Sequence, residues 1–232
     1  MKSQHLCLLS VVALALIAGG VFAAEIQTRT WTDATGNHRW DNTGNWDPQI
    51  DGDHNNIFPA GRDWEVIIET TPWYHSLQLP EGSGTVTFKG AGQLKADDSA
   101  SIQIGAGREL NIDGIVFRLC KNSCSDNSFI NGTLRLSSRS ITTYGSKGDY
   151  HVIGGDAKVI VEGGDFGASN SYLCLSNNAT LTVRGGQVHA IRYIFCSPDA
   201  PRESITRVRL LGGTFWNDSE YSYTMYVRDG AH

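Results

Sequence analysis

The chain has 232 residues with 26 glycines, and Asp, Glu, Lys and Arg make up 19 % of it, against about 25 % in an average globular protein. Hydrophobic residues make up 40 %, enough to bury a core, which argues against a disordered chain. The net charge of −5 at pH 7, with no basic run, argues against nucleic acid or an anionic membrane surface as a partner. The many glycines and the frequent Thr, Val and Ile favour an all-β fold.

The first 23 residues have the features of a signal peptide. Lys2 precedes an apolar stretch over residues 6–18, and small residues follow up to Ala23, after which we expect cleavage. The apolar stretch is shorter than the roughly 20 residues of a transmembrane helix, and no later stretch approaches that length. A buried N-terminal helix is the alternative. We therefore expect a secreted or cell-surface protein with no transmembrane segment.

Residues 24–75 form a tryptophan-rich module. Five of the six tryptophans lie between residues 31 and 73, interleaved with Asn, Asp and Gly. One interpretation is a cap, in which the rings bury a large area over an otherwise exposed sheet edge. The other is a sugar-binding face, in which exposed indole rings pack on pyranose rings. On that second interpretation Trp31, Trp40 and Trp46 are candidate glycan contacts.

The same module carries a resemblance to a known class of proteins. It reads T-W-T at residues 30–32, G-x-x-x-W at 36–40, N-W at 45–46, and then G-D followed by an apolar pair at 57–58. This order resembles the N-terminal module of large exported bacterial β-helical proteins with autotransporter-associated strand repeats. The resemblance implies a secreted or surface passenger protein with a right-handed β-helix, and it implies no catalytic residue.

The sequence predicts neither a metal site nor a cofactor. Asp51, Asp53 and Asn55 have the spacing that begins a calcium-binding loop, but Asn56 and Arg62 replace the glycine and the glutamate that such a loop requires. The histidines share no ligand spacing, so we expect them to lie isolated at the surface.

An internal repeat decides the fold prediction for residues 76–232. A triplet with apolar first and third residues recurs in steps of 22 to 27 residues, and its last residue is usually followed, five positions later, by another apolar residue. The triplets are 86–88, 110–112, 134–136, 159–161, 181–183 and 208–210, and the later apolar positions are Phe117, Ile141, Phe166, Val188 and Phe215. Glycine pairs at 163–164, 185–186 and 212–213 separate each of the last three triplets from the apolar residue that follows it. A short-strand repeat of this length predicts a single-stranded parallel β-helix, and a β-sandwich is the alternative.

Four cysteines follow the signal peptide, and an even number in an exported chain is typical of disulfides. Cys120 and Cys124 flank a three-residue loop, and we prefer a disulfide between them. Other pairings with Cys174 and Cys196, and buried free thiols, stay open. The spacing lacks the paired pattern of zinc ligands.

In a β-helix, equivalent positions of adjacent coils become neighbours, so an active site should appear as a column of carboxylates. The alignment places Asp165 beside Ser140 and Gln187, and Glu162 beside Arg184. No two carboxylates stack, so no catalytic residue is predicted. Glu162 and Arg184 are expected to form a surface ion pair.

Two further columns follow from the same alignment. Asp156 and Asn178 should form a hydrogen-bonded ladder between coil turns. Tyr150, Tyr172 and Tyr193 recur at 22 and 21 residues, which predicts either a candidate glycan contact or stacked rings that stabilise the coils.

Residues 223–227 align with residues 171–175, and the sequence stops at His232, where the next strand should begin. Because a solenoid normally ends in a polar cap, we expect a truncated reading frame or the N-terminal part of a longer passenger.

The leading functional hypothesis is therefore a non-enzymatic secreted or cell-surface β-helical scaffold that contacts polysaccharide or other cell-surface components. The alternative is a carbohydrate-active β-helix enzyme, either a polysaccharide lyase or a glycoside hydrolase, or its ancillary module.

Overall fold

The structure is a computed structural model that describes residues 26–119, 129–137, 141–143, 150–153, 156–167, 172–175, 178–190, 192–195, 205–217 and 225–227. Across these residues the chain is all-β apart from one 3-10 turn at Thr43–Asn45, and its strands stack into a parallel β-solenoid of about six turns. The predicted parallel β-helix is confirmed. The predicted signal peptide, the predicted Cys120–Cys124 disulfide and the chain end at His232 lie outside the described residues.

The strands of the described part form three sheets. The first sheet contains β1 (Thr28–Trp31), β2 (Trp46–Asp47), β3 (Asn55–Ile57), β5 (Trp73–Leu79), β7 (Gln93–Ile104), β9 (Val116–Arg118), β10 (Phe129–Ile130), β12 (Ile141–Thr143), β15 (Asp165–Gly167), β18 (Gln187–Ala190) and β21 (Thr214–Asn217). The second contains β4 (Trp64–Ile67), β6 (Thr85–Lys89), β8 (Glu109–Asp113), β11 (Thr133–Leu136), β14 (Lys158–Val161), β17 (Thr180–Val183) and β20 (Arg207–Leu210). The third contains β13 (Tyr150–Ile153), β16 (Tyr172–Leu175), β19 (Arg192–Phe195) and β22 (Met225–Val227).

The core of the solenoid is built from side chains that alternate along each strand. In β11, Leu134 and Leu136 are buried while Thr133 and Arg135 are half-buried, because successive side chains of a strand point to opposite faces. Parallel in-register pairing repeats this pattern from β6 through β17 and joins the inward side chains into columns. One fully buried column consists of Val86, Leu110, Leu134, Val159 and Leu181. The predicted alignment of the triplets is confirmed.

The second predicted column is wrong at one position. Thr142, not Ile141, pairs with both Phe117 and Phe166. From Leu136 to Thr142 the chain advances six residues, whereas the equivalent steps in the two adjacent coils, from Ile112 to Phe117 and from Val161 to Phe166, are five residues, which shifts the register by one. For the same reason Asp165 lies beside Ile141 and not beside Ser140, while its predicted pairing with Gln187 is confirmed.

The glycine pairs form the stacked turns between the second and first sheets. Gly186 has a φ of +74°, and a Cβ added there would lie 2.3 Å from the carbonyl oxygen of Gly164 in the preceding coil. Only glycine adopts this conformation readily and allows so close an approach. The coil spacing therefore depends on these turns.

An aromatic cluster occupies the N-terminal part of the core. Trp46 lies edge-on to Trp31 and Trp40, with ring centroids 4.8 and 4.9 Å apart, and Phe58 connects this group to Phe88 at 5.5 Å. Strand β2 pairs antiparallel with β1 and covers the edge that β1 would otherwise expose. The interpretation of the module as a cap is thus confirmed. Parallel stacking nevertheless begins inside residues 24–75, because β3 and β4 already pair with β5 and β6.

Candidate functional site

The three tryptophans predicted to contact a glycan are part of the core. The exposed fractions of Trp31, Trp40 and Trp46 are 0, 3 and 1 %. The indole Nε1 of Trp46 donates a hydrogen bond to the backbone carbonyl of Trp40 at 2.9 Å. Their ring faces pack on one another and cannot serve as a platform for sugar, so the prediction of exposed indoles is wrong for all three.

The predicted tyrosine column is also incomplete. Tyr150 pairs with Tyr172 in register, but Tyr172 pairs with Arg192, and Tyr193 pairs with Leu173. Tyr193 is therefore displaced by one position from the predicted column. The side chains at these three positions lie outside the described residues.

The strongest candidate site is a cleft of about 320 Å³ in the N-terminal cap. It lies between the loop that precedes β3, the segment that enters β5, and the aromatic cluster. The side chains that matter for its chemistry are Arg29, Trp40, Asp51, Asp53, Thr71 and Trp73. We call this feature the cap cleft.

Arg29 forms the floor of the cap cleft. Its side chain is held by two hydrogen bonds, from Nε to Asn56 Oδ1 at 2.7 Å and from Nη1 to the carbonyl of Ile50 at 2.9 Å. The guanidinium also lies on the ring of Trp46, with its central carbon 4.0 Å from the ring centroid. The residue is 3 % exposed, so its position is fixed by packing as well as by hydrogen bonds.

Arg29 keeps its positive charge at neutral pH. Burial lowers the pKa of its guanidinium to about 10, while the carboxylates of Asp51 and Asp53 act in the opposite direction. Both aspartates lie on the exposed loop at the mouth of the cleft. The site therefore places fixed N–H donors at its floor and carboxylate acceptors at its rim.

The remaining charges around the cap cleft are also compensated. Asp41 accepts two hydrogen bonds from Arg39, at 3.0 and 2.9 Å, which hold the pKa of this carboxyl below its usual value. The Lys95 ammonium lies 5.5 Å from the ring centroid of Trp73. The lining of the cleft thus carries one cation, Arg29, and three carboxylates, those of Asp41, Asp51 and Asp53, of which Asp41 is paired with Arg39 outside the lining.

The oxygen atoms that suggested the start of a calcium loop have other partners. Asp51 Oδ1 accepts a hydrogen bond from the backbone N–H of Gly52, and Asn55 Oδ1 accepts one from Ser76 Oγ. Asn56, at the position where a calcium loop needs glycine, is buried and holds Arg29. In the described ranges, no group of three or more His, Cys, Asp or Glu side chains could hold a metal ion.

A ladder of ion pairs connects four successive coils on the outer face of the second sheet. Arg135 donates to Glu109 from Nε at 2.8 Å and to Glu162 from Nη1 at 2.6 Å. Arg184 donates to the same Glu162 at 2.9 Å, which confirms that predicted pair. The glutamates raise the pKa of Arg135, and burial opposes them. The part played by Arg135 could have been found in the sequence, because it occupies the middle of an aligned triplet.

The turn ladder predicted from Asp156 and Asn178 is confirmed. Asn178 Nδ2 donates to Asp156 Oδ1 at 3.1 Å, and Asn178 Oδ1 accepts from the backbone N–H of Ile205 in the next coil at 3.2 Å. These side chains therefore serve the stacking of coils.

Three histidines pair with aspartates, so the expectation of isolated histidines is wrong for them. The pairs are His38 with Asp33, His75 with Asp97, and His189 with Asp165. His75 Nδ1 lies 2.6 Å from Asp97 Oδ2, and the two residues are one coil apart. Their separation of 22 residues is the signal that could have predicted the pair.

No helix in the part of the chain that the structure describes is long and apolar enough to cross a membrane. Comparison of the chain with known protein families, curated proteins and solved structures finds no match.

Proposed function

We propose that this protein is a secreted or cell-surface β-solenoid scaffold without catalytic activity, and that it contacts polysaccharide. The observation that supports this proposal most strongly is that charged side chains of successive coils are paired with one another. Glu109 and Glu162 are both bound to guanidinium groups of neighbouring coils, and Asp156 is bound to the amide of Asn178. In these positions the carboxylates hold successive coils in register.

A glycosidase would need a different arrangement. Two carboxyl groups would have to flank the substrate at about 5 to 9.5 Å, one with a raised pKa to act as the acid. Glu109 and Glu162 share Arg135, so an oxygen of each carboxylate is engaged in an ion pair between coils. This environment suits a structural ion pair better than a proton donor.

Export is supported by the pattern of the first 23 residues, with a charged start, a short apolar stretch and small residues before the expected cleavage site. Expression of the full chain in a bacterial host, followed by cell fractionation and N-terminal sequencing, tests it. We expect recovery outside the cytoplasm with a new N-terminus after Ala23. Cytoplasmic protein that retains Met1 would contradict export.

The absence of catalysis has its own test. The purified protein is incubated with acidic and neutral polysaccharides, with and without calcium, and the products are examined for unsaturated or new reducing ends. We expect neither. Either kind of product, lost on heat denaturation of the protein, would replace the scaffold proposal with the carbohydrate-active enzyme.

A further inference from the structure

We propose that the cap cleft binds a neutral sugar unit of the polysaccharide, with Trp73 as the platform and Arg29, Asp51 and Asp53 as the groups that bind its hydroxyls. This inference rests on the proposed polysaccharide contact and assigns it a place. Its support comes from the shape of the cleft, its aromatic wall, its fixed donors and acceptors, and its charge.

The size of the cleft fits a small ligand. Its volume of about 320 Å³ lies at the lower end of the range in which proteins bind small molecules, which runs from about 300 to 1,000 Å³. The chain entering β5 forms one side and the Asp51–Asp53 loop the other. A cleft of this size accommodates a short stretch of a glycan and leaves the rest of the polymer in solvent.

Trp73 supplies the aromatic wall that the three buried tryptophans cannot. It lies at the start of β5, it is half-buried, and it lines the cleft. The face of an indole ring carries negative potential, which favours the C–H groups on one side of a pyranose ring. The sugar-binding interpretation of the module is therefore transferred from Trp31, Trp40 and Trp46 to Trp73.

Arg29 and the two aspartates supply matched polar groups. A guanidinium has five N–H groups, and among the described residues only Asn56 Oδ1 and the carbonyl of Ile50 accept from Arg29. Further donors of a nearly buried cation thus remain for a ligand or for water. Asp51 and Asp53 offer acceptors at the mouth of the cleft. A sugar hydroxyl both donates and accepts, so it satisfies both sets at once.

Charge decides between classes of ligand. Of the charged side chains that line the cleft, Asp41 is paired with Arg39, which leaves Arg29 at the floor and Asp51 and Asp53 at the rim to face a ligand. An anionic polymer would meet Asp51 and Asp53 at the rim, and a cationic ligand would meet Arg29 at the floor. A neutral hydroxylated ligand meets neither repulsion.

The test measures binding to soluble neutral oligosaccharides. Protein produced from the full chain is titrated by calorimetry with six-unit glucose, xylose, mannose and galactose oligomers, and with polygalacturonate as the acidic comparison. At least one neutral oligomer should bind. Trp73→Ala should weaken that binding by at least about tenfold, the scale of a lost aromatic contact residue, and Trp73→Tyr should retain part of it. Asp53→Asn should weaken it as well.

The control is Asp47→Asn, which makes the same chemical change at an exposed position of the same module, outside the cleft. It should leave the affinity unchanged. Urea unfolding of every variant shows whether a loss of binding comes from loss of fold. If no neutral oligomer binds, or if a bound oligomer is unaffected by Trp73→Ala and Asp53→Asn, the cap cleft is not the site. If an oligomer binds but neither substitution weakens it, the protein still contacts polysaccharide, at a site other than the cap cleft. Preferential binding of polygalacturonate would show that the ligand is acidic and not neutral.

Discussion

Replacement of Gly186 by alanine tests the close stacking of coils. The residue has a φ of +74°, and the new Cβ would lie 2.3 Å from the Gly164 carbonyl oxygen, whereas an ordinary contact is at least 3.4 Å. Relief requires the coils to separate by about 1 Å, a fifth of the normal strand spacing. That movement strains the hydrogen bond from the Gln187 N–H to the same carbonyl, now 2.9 Å long.

The chain contains a matched control in Gly36, which has a φ of +68° and nothing within 4 Å of an added Cβ. Gly36→Ala should lower the free energy of unfolding only by the cost of holding alanine in a left-handed backbone conformation, about 1 to 2 kcal/mol. Gly186→Ala should lower the free energy of unfolding by about 2 to 5 kcal/mol, because the displaced turn and its weakened backbone hydrogen bond add about 1 to 3 kcal/mol to the same backbone cost. The entropy that alanine removes from the unfolded chain is similar in both variants and cancels in the difference.

Urea unfolding followed by circular dichroism measures this difference. With a slope of about 2 kcal/mol per molar urea, a difference of about 2 kcal/mol separates the two midpoints by about 1 M. Equal losses of stability in the two variants would refute the inference that stacked glycine turns set the coil spacing.

Three further predictions concern the core and the ladders. Phe58→Ala should lower the free energy of unfolding by about 3 to 5 kcal/mol, because its fully buried ring connects the tryptophans to the rest of the core, and an unchanged urea midpoint would contradict this role. Arg135→Ala should lower the free energy of unfolding by no more than about 1 kcal/mol, since the ion pairs with Glu109 and Glu162 are partly exposed. This loss of stability should be smaller in 1 M salt, which screens the ion pairs. A loss that does not change with salt would show that Arg135 stabilises the fold by packing instead. Burial raises the pKa of Tyr74, whose hydroxyl donates to two backbone carbonyls, so an unfolded chain loses this proton near pH 10 before the folded chain does. Stability should therefore fall as the pH rises above about 10, and Tyr74→Phe, although less stable at neutral pH, should show a shallower fall; parallel pH profiles would contradict this.

The repeat region was predictable because its signal is periodic. Triplets such as 110–112 and 134–136 recur with alternation and turn glycines in one phase, and every coil imposes the same inward direction on the same position. Ile141 was misplaced because the connection before it is one residue longer than those of the two adjacent coils and carries no glycine pair to mark the turn. An insertion of one residue moves each following side chain of the strand to the opposite face of the sheet. Because Ile141 is apolar, it fitted the predicted inward position, and nothing in the sequence indicated the shift.

The cap cleft was less predictable because the N-terminal module lacks this periodicity. Trp46 and Trp73 are the same residue type in similar polar surroundings, and only packing makes one a core residue and the other a cleft wall. Arg29 had no signal of its own, since a single arginine in a strand is normally exposed. Its role depends on Asn56, 27 residues later in the chain, which the parallel pairing of β1 with β3 places beside it.

The central claim, an exported scaffold that holds polysaccharide without altering it, is tested most directly by recovery of a bound oligosaccharide. The protein is saturated with the neutral oligomer that it binds best and held for a day, and the oligomer is released and weighed by mass spectrometry. The account predicts retention of the oligomer by the native protein, loss of retention in Trp73→Ala, and an unchanged oligomer mass. Shortened or unsaturated oligomers would show that the protein is an enzyme, and equal retention by Trp73→Ala would show that the cap cleft is not where the sugar binds.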